Sequence, residues 1–311
     1  MVWTGNDSNG FGDVSNWSTP PLFDGTDQLA FELSGSTDVT SMVGGSYSIT
    51  SLAISGTGSA SLLISSCSGN LQVSSSVTDS ASGQVTIAVP ISGCASLSVT
   101  SGGYLILNGA NSYNGGTTIA CMSTLQLGDG SSTGSIINAV ADNGTLVFNN
   151  PGCFSFSNGI SGSGAVTVQS GMVTLGGSNT YSGTTTVEGC ASLTDAESHS
   201  LSACSAINLL DHAALNVNYC ESIKSLEGDS CTSVNLASGA NLLVNTGGCM
   251  EFGGVISGCG SLEIGNGATQ ILVNANTYGG GTTIDCSATL QLGDGSSSGS
   301  ITGSVTDNGT L

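Results

Sequence analysis

The chain has 311 residues, 38% of them apolar and 7% charged, with 48 glycines and 4 prolines. That leaves enough apolar side chain for a buried core and argues against disorder, long helices and collagen. Twenty-one acidic residues stand against one basic residue, Lys224, for a net charge of −20, so neither nucleic acid nor an anionic membrane surface is an expected partner.

From the N-terminus, "MVWTGNDSNG" offers no basic segment followed by an apolar one, so no leader peptide is expected there. No apolar run reaches the roughly 18 residues that a membrane-spanning helix needs. Trp3, Phe11, Trp17, Phe23 and Phe31 concentrate aromatic rings in the first 31 residues. Their expected role is to cap the open end of the fold, with a carbohydrate-binding platform as the alternative. Residues 1–45 therefore read as a start module and 46–311 as the repeated body.

Inside the body, short runs alternate with period two, as in Leu105 and Leu107 or Leu125 and Leu127. Turn pairs such as "NG", "GDG" and "DNG" separate them, which is the pattern of strands with one face inward. The stretch "TDAESHSLSAC" (194–204) comes closest to a helix, but its serines make it a better loop.

Two segments, "TTIACMSTLQLGDGSSTGSI" (117–136) and "TTIDCSATLQLGDGSSSGSI" (282–301), share sixteen of twenty positions at a shift of 165. A wider pattern joins an "ISG" block to an Asn-x-Tyr block three times: Ile91 to Tyr113, Ile160 to Tyr181 and Ile256 to Tyr278, spaced by 22, 21 and 22 residues. These place repeat units around 91–136, 160–190 and 256–301. A propeller blade needs about 40 residues, whereas one coil of a parallel β-solenoid uses about this many. About a dozen coils stacked at about 4.8 Å would give a rod on the order of 60 Å, with Leu, Ile and Val in inward ladders. The expected fold is an all-β parallel β-helix, with Tyr113, Tyr181 and Tyr278 at a recurring corner and repeated Asn hydrogen-bonded in ladders.

The strings "GGYLILNGANSYNGGTTI", "STLQLGDGSSTGSI" and "GMVTLGGSNTYSGTTTV" resemble the autotransporter-associated β-strand repeat of bacterial surface-protein passengers. The opening "VWTGNDSNGFGDVSNWSTP" resembles the start common in such chains. The resemblance implies a right-handed parallel β-helix outside the cell, acting as scaffold or stalk, and it carries over no catalytic motif. Such passengers are usually poor in cysteine; here there are eleven, often where Gly, Ser or Asn is expected. Cys94 with Cys259 and Cys121 with Cys286 repeat at the 165 shift. Disulfides between adjacent coils are conceivable in an oxidising compartment.

Three features tempt toward chemistry. Residues 195–229 gather Asp195, Glu197, His199, Asp211, His212, Glu221, Lys224, Glu227 and Asp229, which could form a sugar-cleaving groove or simply polar turns. The "LGDGSS" loops at Asp129 and Asp294 lack the register of calcium-binding solenoid repeats and read as turns. The Thr-rich strands at 117, 185 and 282 lie 68 and 97 residues apart, too far for one continuous ladder of repeat copies. Sequons at Asn6, Asn16, Asn143 and Asn308 matter only in a glycosylating host.

The expected function is structural: a secreted or cell-surface stalk, adhesin or filament subunit. Catalytic, cofactor and metal residues are not assigned, and no cofactor is called for. The alternatives are a β-helical polysaccharide lyase or hydrolase, and a carbohydrate-binding module with surface glycans as partners. Leu311 falls in "VTDNGTL", within a unit, which leaves two expectations of equal weight: a second copy stacked head to tail into a fibre, or a longer passenger of which residues 1–311 are a portion.

Overall fold

The computed structural model describes residues 1–4, 9–66, 68–245 and 248–311. It is an all-β solenoid of parallel strands with about 14 turns. The chain divides into two compact units, 1–151 and 152–311. No helix among the described residues is long and apolar enough to cross a membrane.

In the first unit each coil contributes to three faces. One face stacks Gln28–Glu32, part of Tyr47–Gly56, part of Leu71–Ala81, Ser96–Val99, Thr117–Ile119 and Val140–Asp142. Its register builds two inward ladders: Leu29, Leu52, Val77, Leu97, Thr117 and Val140, and beside it Phe31, Ile54, Asp79, Val99, Ile119 and Asp142. The second face stacks Leu62, Val85, Leu105, Leu125 and Leu146 next to Ile64, Ile87, Leu107, Leu127 and Phe148. All ten of those side chains are buried. At the third face Tyr47 lies against Leu71, which in turn lies against Ile91. Parallel strands with no hairpin between them follow from the sequence, because each strand's hydrophobic partner is one coil away rather than next along the chain.

The second unit repeats this plan. One face carries Val166, Thr185, Ile207 and Leu226; the next Val173, Leu193, Leu215, Val234 and Ile256; the third Glu221, Leu242, Leu262 and Thr282. The repeat copies do not share a face. Thr185 and Thr282 occupy equivalent sequence positions, yet Thr185 belongs to the first of these faces and Thr282 to the third. Arcs of different length between the two copies shift the phase by one face, so the Thr strands make no continuous ladder.

The aromatic residues of the first 31 form a cap. Trp17 meets Trp3, Phe11 and Phe31 with ring centroids 5.1, 5.4 and 5.5 Å apart, the first two edge-on at 80°. Phe23 packs on Tyr47 at 4.6 Å. The indole N–H of Trp17, buried in this cluster, donates to the Phe11 carbonyl at 3.0 Å. Edge-to-face packing and a satisfied N–H are what buried aromatic rings require. A short 3-10 turn, Val14–Asn16, is N-capped by Asp13 and leads into Trp17. The segment 194–204 is strand and loop, as its composition indicates.

Candidate functional site

The recurring corner is the most regular polar construction in the molecule. Asn111 Oδ1 accepts the Ile91 amide at 2.9 Å, and its Nδ2 donates to the carbonyls of Gly109 at 2.7 Å and Ser135 at 2.9 Å. Asn179 repeats this with the Ile160 amide at 2.8 Å and the Gly176 and Ser200 carbonyls. Asn276 does so with the Ile256 amide at 2.8 Å and the Asn274 and Ser300 carbonyls. One carboxamide therefore ties three successive coils, using both its donors and its acceptor where water does not reach.

Two residues on, a buried tyrosine closes each corner. Tyr113, Tyr181 and Tyr278 hydroxyls bond the Thr117, Thr185 and Thr282 hydroxyls at 2.8, 2.6 and 2.7 Å. The chain then passes a glycine, Gly115, Gly183 or Gly280, where a Cβ would run into the backbone of the preceding coil at Ala95, Gly164 or Gly260. The "Asn-x-Tyr-x-Gly" signature is thus an interior clamp, and its polar atoms face other parts of the chain.

The charge-rich stretch brings two of its acids, Asp195 and Glu221, near enough for the Asp195 charge to add to the rise of the Glu221 carboxyl, and both are engaged by main-chain amides. Glu221 points inward and accepts the amides of Ser200 and Leu201, both at 3.0 Å. Asp195 points inward and accepts the amides of Asn218 at 2.7 Å and Tyr219 at 2.9 Å. Burial pushes both carboxyls above their ordinary range, and the main-chain amides pull partly back. Asp229 accepts from the amides of Asp211 and Cys231, both at 2.9 Å, and Glu197 from that of Gly177. These carboxylates satisfy backbone groups left open at coil corners. Glu197, His199, Asp211, His212, Lys224 and Asp229 are exposed on turns, and Glu227 is half-buried.

Two acids escaped the sequence reading. Asp79 and Asp142 are fully buried members of an otherwise apolar ladder. In each, Oδ1 accepts one amide, from Ala81 at 3.1 Å or Gly144 at 2.9 Å, while Oδ2 has no partner. Burial pushes each up to about 6. Period two does place them inward, in line with Val77 and Val140, but their charge argued for the surface.

The loop acids behave as turn formers. Asp129 Oδ1 accepts the amides of Ser131 at 2.9 Å and Ser132 at 2.6 Å; Asp294 does the same with Ser296 and Ser297 at 2.7 and 2.5 Å. Those bonds hold both carboxyls below the ordinary range. Of the sequons, Asn16 is buried and donates to the Gly10 carbonyl, Asn143 and Asn308 are exposed, and Asn6 lies outside the described residues.

The ten described cysteines are free and exposed; Cys67 lies outside the described residues. Register explains why adjacent coils do not bridge. Cys220 stands opposite Asn241 and Cys249 opposite Thr269, so the nearest coil offers no sulfur partner. Near the cap, Trp3 and Phe31 line a polar cleft of about 410 Å³ with Glu32, Asp38 and Thr40.

The passenger-associated-transport-repeat family matches three segments, residues 97–120, 169–189 and 266–292. The chain carries autotransporter passenger-type β-strand repeats. Each matched passenger repeat contains inward ladder residues, such as Val99 and Ile119 in the first, Val173 and Val187 in the second and Ile284 and Leu290 in the third. The family signature therefore records how coils stack. No curated protein and no solved structure matches the chain.

Proposed function

We propose that this chain is a structural passenger, a secreted or cell-surface stalk or adhesin scaffold, with residues 1–45 as its start module and 46–311 as its repeated body. One observation carries this reading. The buried carboxylates of the charge-rich stretch, Asp195 and Glu221, spend their oxygens on main-chain amides of neighbouring coils. A general acid or base needs a carboxyl aimed at a substrate within hydrogen-bond reach, and these are aimed at the scaffold.

The test pairs an activity assay with imaging. Incubation with acidic and neutral polysaccharides should release no new reducing ends. A glycan array reports whether the scaffold also binds sugars. Electron microscopy of the purified chain separates a monomeric scaffold from head-to-tail filaments formed by a second copy. Turnover of a polysaccharide that is lost in a Glu221→Gln variant would overturn the structural reading in favour of the enzyme.

A further inference from the structure

The outer surface of the second strand stack in the first unit carries a groove that the interior ladders do not explain. Two cavities, of about 410 and 300 Å³, share Asp38, Val39 and Thr40 and so run into one another. Register orders their lining along the solenoid axis. Thr40 lies opposite Leu63, and Leu63 opposite Thr86, on three successive coils. Asp38, Ser61 and Gln84 stand two residues earlier on the same coils and line one side. Trp3 stands at the cap end, with its amide on the Ala30 carbonyl at 2.9 Å and its ring against Trp17 and Phe31.

Along this groove apolar and polar surface alternate, from Trp3 to Thr40, Leu63 and Thr86. Leu63 is 38% exposed and interrupts what would otherwise be a column of threonines. Elsewhere outward polar side chains pair across coils, as Ser48 does with Gln72 at 3.0 Å and Asn241 with Glu263 at 2.9 Å. Here Leu63 keeps the two threonines apart, and the Thr40 and Thr86 hydroxyls and the Gln84 carboxamide bond no other described residue. The charged residues at the groove are Glu32 and Asp38. The chain's single Lys or Arg, Lys224, belongs to the second unit.

We propose that this groove binds a neutral, extended oligosaccharide lying along the solenoid axis, which deepens the adhesin-scaffold reading by naming what the scaffold holds. A pyranose ring has apolar C–H faces and a rim of hydroxyls, so it is held by apolar plates set among short polar side chains. Trp3 and Leu63 supply the plates; Thr40, Gln84 and Thr86 supply donors and acceptors. The coil step of about 4.8 Å is close to the advance of one sugar in a β-1,4-linked chain, so successive rings meet successive coils. The Glu32 and Asp38 carboxylates accept hydrogen bonds from hydroxyls but repel uronate and sulfated sugars, and no cation in this unit offsets them. Because the floor is made of paired strands, little ordering is left for the ligand to impose.

Isothermal titration calorimetry of the full chain with cellohexaose tests this, with maltohexaose as a curved neutral chain and hexagalacturonate as an anionic one. Cellohexaose should bind saturably and at least about tenfold more tightly than either. The double variant Thr40→Val, Thr86→Val keeps the side-chain shape at strand positions and should weaken binding by about tenfold at an unchanged melting temperature. Thr118→Val, on the outer side of a different strand stack, should bind as the parent chain does. Absence of saturable cellohexaose binding, or an unchanged affinity in the double variant, overturns the site. Equal or tighter binding of hexagalacturonate overturns the assignment of a neutral ligand, and of maltohexaose that of an extended one. Cleavage of bound cellohexaose would support the groove and overturn the scaffold reading, so the two fail separately.

Discussion

Asn276 accepts the amide proton of Ile256, one coil earlier, through Oδ1 at 2.8 Å, and the same side chain holds the Ser300 carbonyl of the next coil at 3.1 Å. Both partners are backbone groups that lose water on folding. Replacing Asn276 with Ala removes three side-chain hydrogen bonds and leaves the Ile256 amide unpaired, at about 1–3 kcal/mol for that group, while the Ser300 carbonyl keeps the main-chain amide of residue 276 at 2.9 Å. Urea unfolding of Asn276→Ala should show a loss of about 2–4 kcal/mol, and Tyr278→Phe, which removes a single bond to Thr282, a loss of about 1 kcal/mol. Equal costs for the two variants would show that the carboxamide does not bridge coils.

Stability should rise as pH falls from above 6 toward 4. Asp79 and Asp142 have folded values of about 6 against an ordinary 3.8, so between those limits the folded state binds more protons than the unfolded one. Above pH 6 both are ionised in either state, and each carries the full cost of a buried charge with one oxygen unpartnered. The contribution is about 2–3 kcal/mol per group by linkage, from 1.36 kcal/mol per pKa unit. Asp79→Asn and Asp142→Asn should therefore flatten the profile between pH 4 and 6 and raise the melting temperature at pH 8. Thermal melts across that range check the sign.

Leu127 lies between Leu107 and Phe148 in a fully buried ladder. Leu127→Asp should cost several kcal/mol of buried, unpaired charge. Because coils lean on their neighbours, hydrogen exchange should accelerate first in the strands that include Leu107 and Phe148.

Two glycines separate close approach from backbone conformation. A Cβ at Gly183 would overlap the Gly164 carbonyl, whereas one at Gly239 meets nothing within 4 Å but sits at φ +84°. Gly239→Ala should cost about 1 kcal/mol from the left-handed backbone alone. Gly183→Ala must push coils apart and should cost several times more, read as the difference between the two midpoints in denaturant.

Met122 carries the same backbone problem in reverse. It holds φ of 62° while its side chain is exposed. Met122→Gly should therefore stabilise the chain by about 1 kcal/mol, a gain visible as a higher melting temperature.

Much of the fold was legible from the chain itself, because period two at Leu105, Leu107, Leu125 and Leu127 states which side chains stack, and the Asn-x-Tyr spacing states how long a coil is. The clamp was legible as a recurring Tyr and Asn, though not its wiring, since which carbonyl Asn179 reaches depends on the coil that follows it. Asp79 and Asp142 were hidden by their charge, which normally reports a surface position.

The one-face offset between Thr185 and Thr282 has an evolutionary corollary. A clamp that works equally well on two different sides of the coil places no demand on azimuth, only on the coil before and the coil after. A genetic duplication can therefore be inserted wherever the inward ladders continue, without preserving which way its outer surface looks. Growth by copying is cheap for the interior of such a protein. A binding surface spread over several repeats would be scrambled by the same event, so any recognition is expected to reside in the unrepeated arcs of the chain.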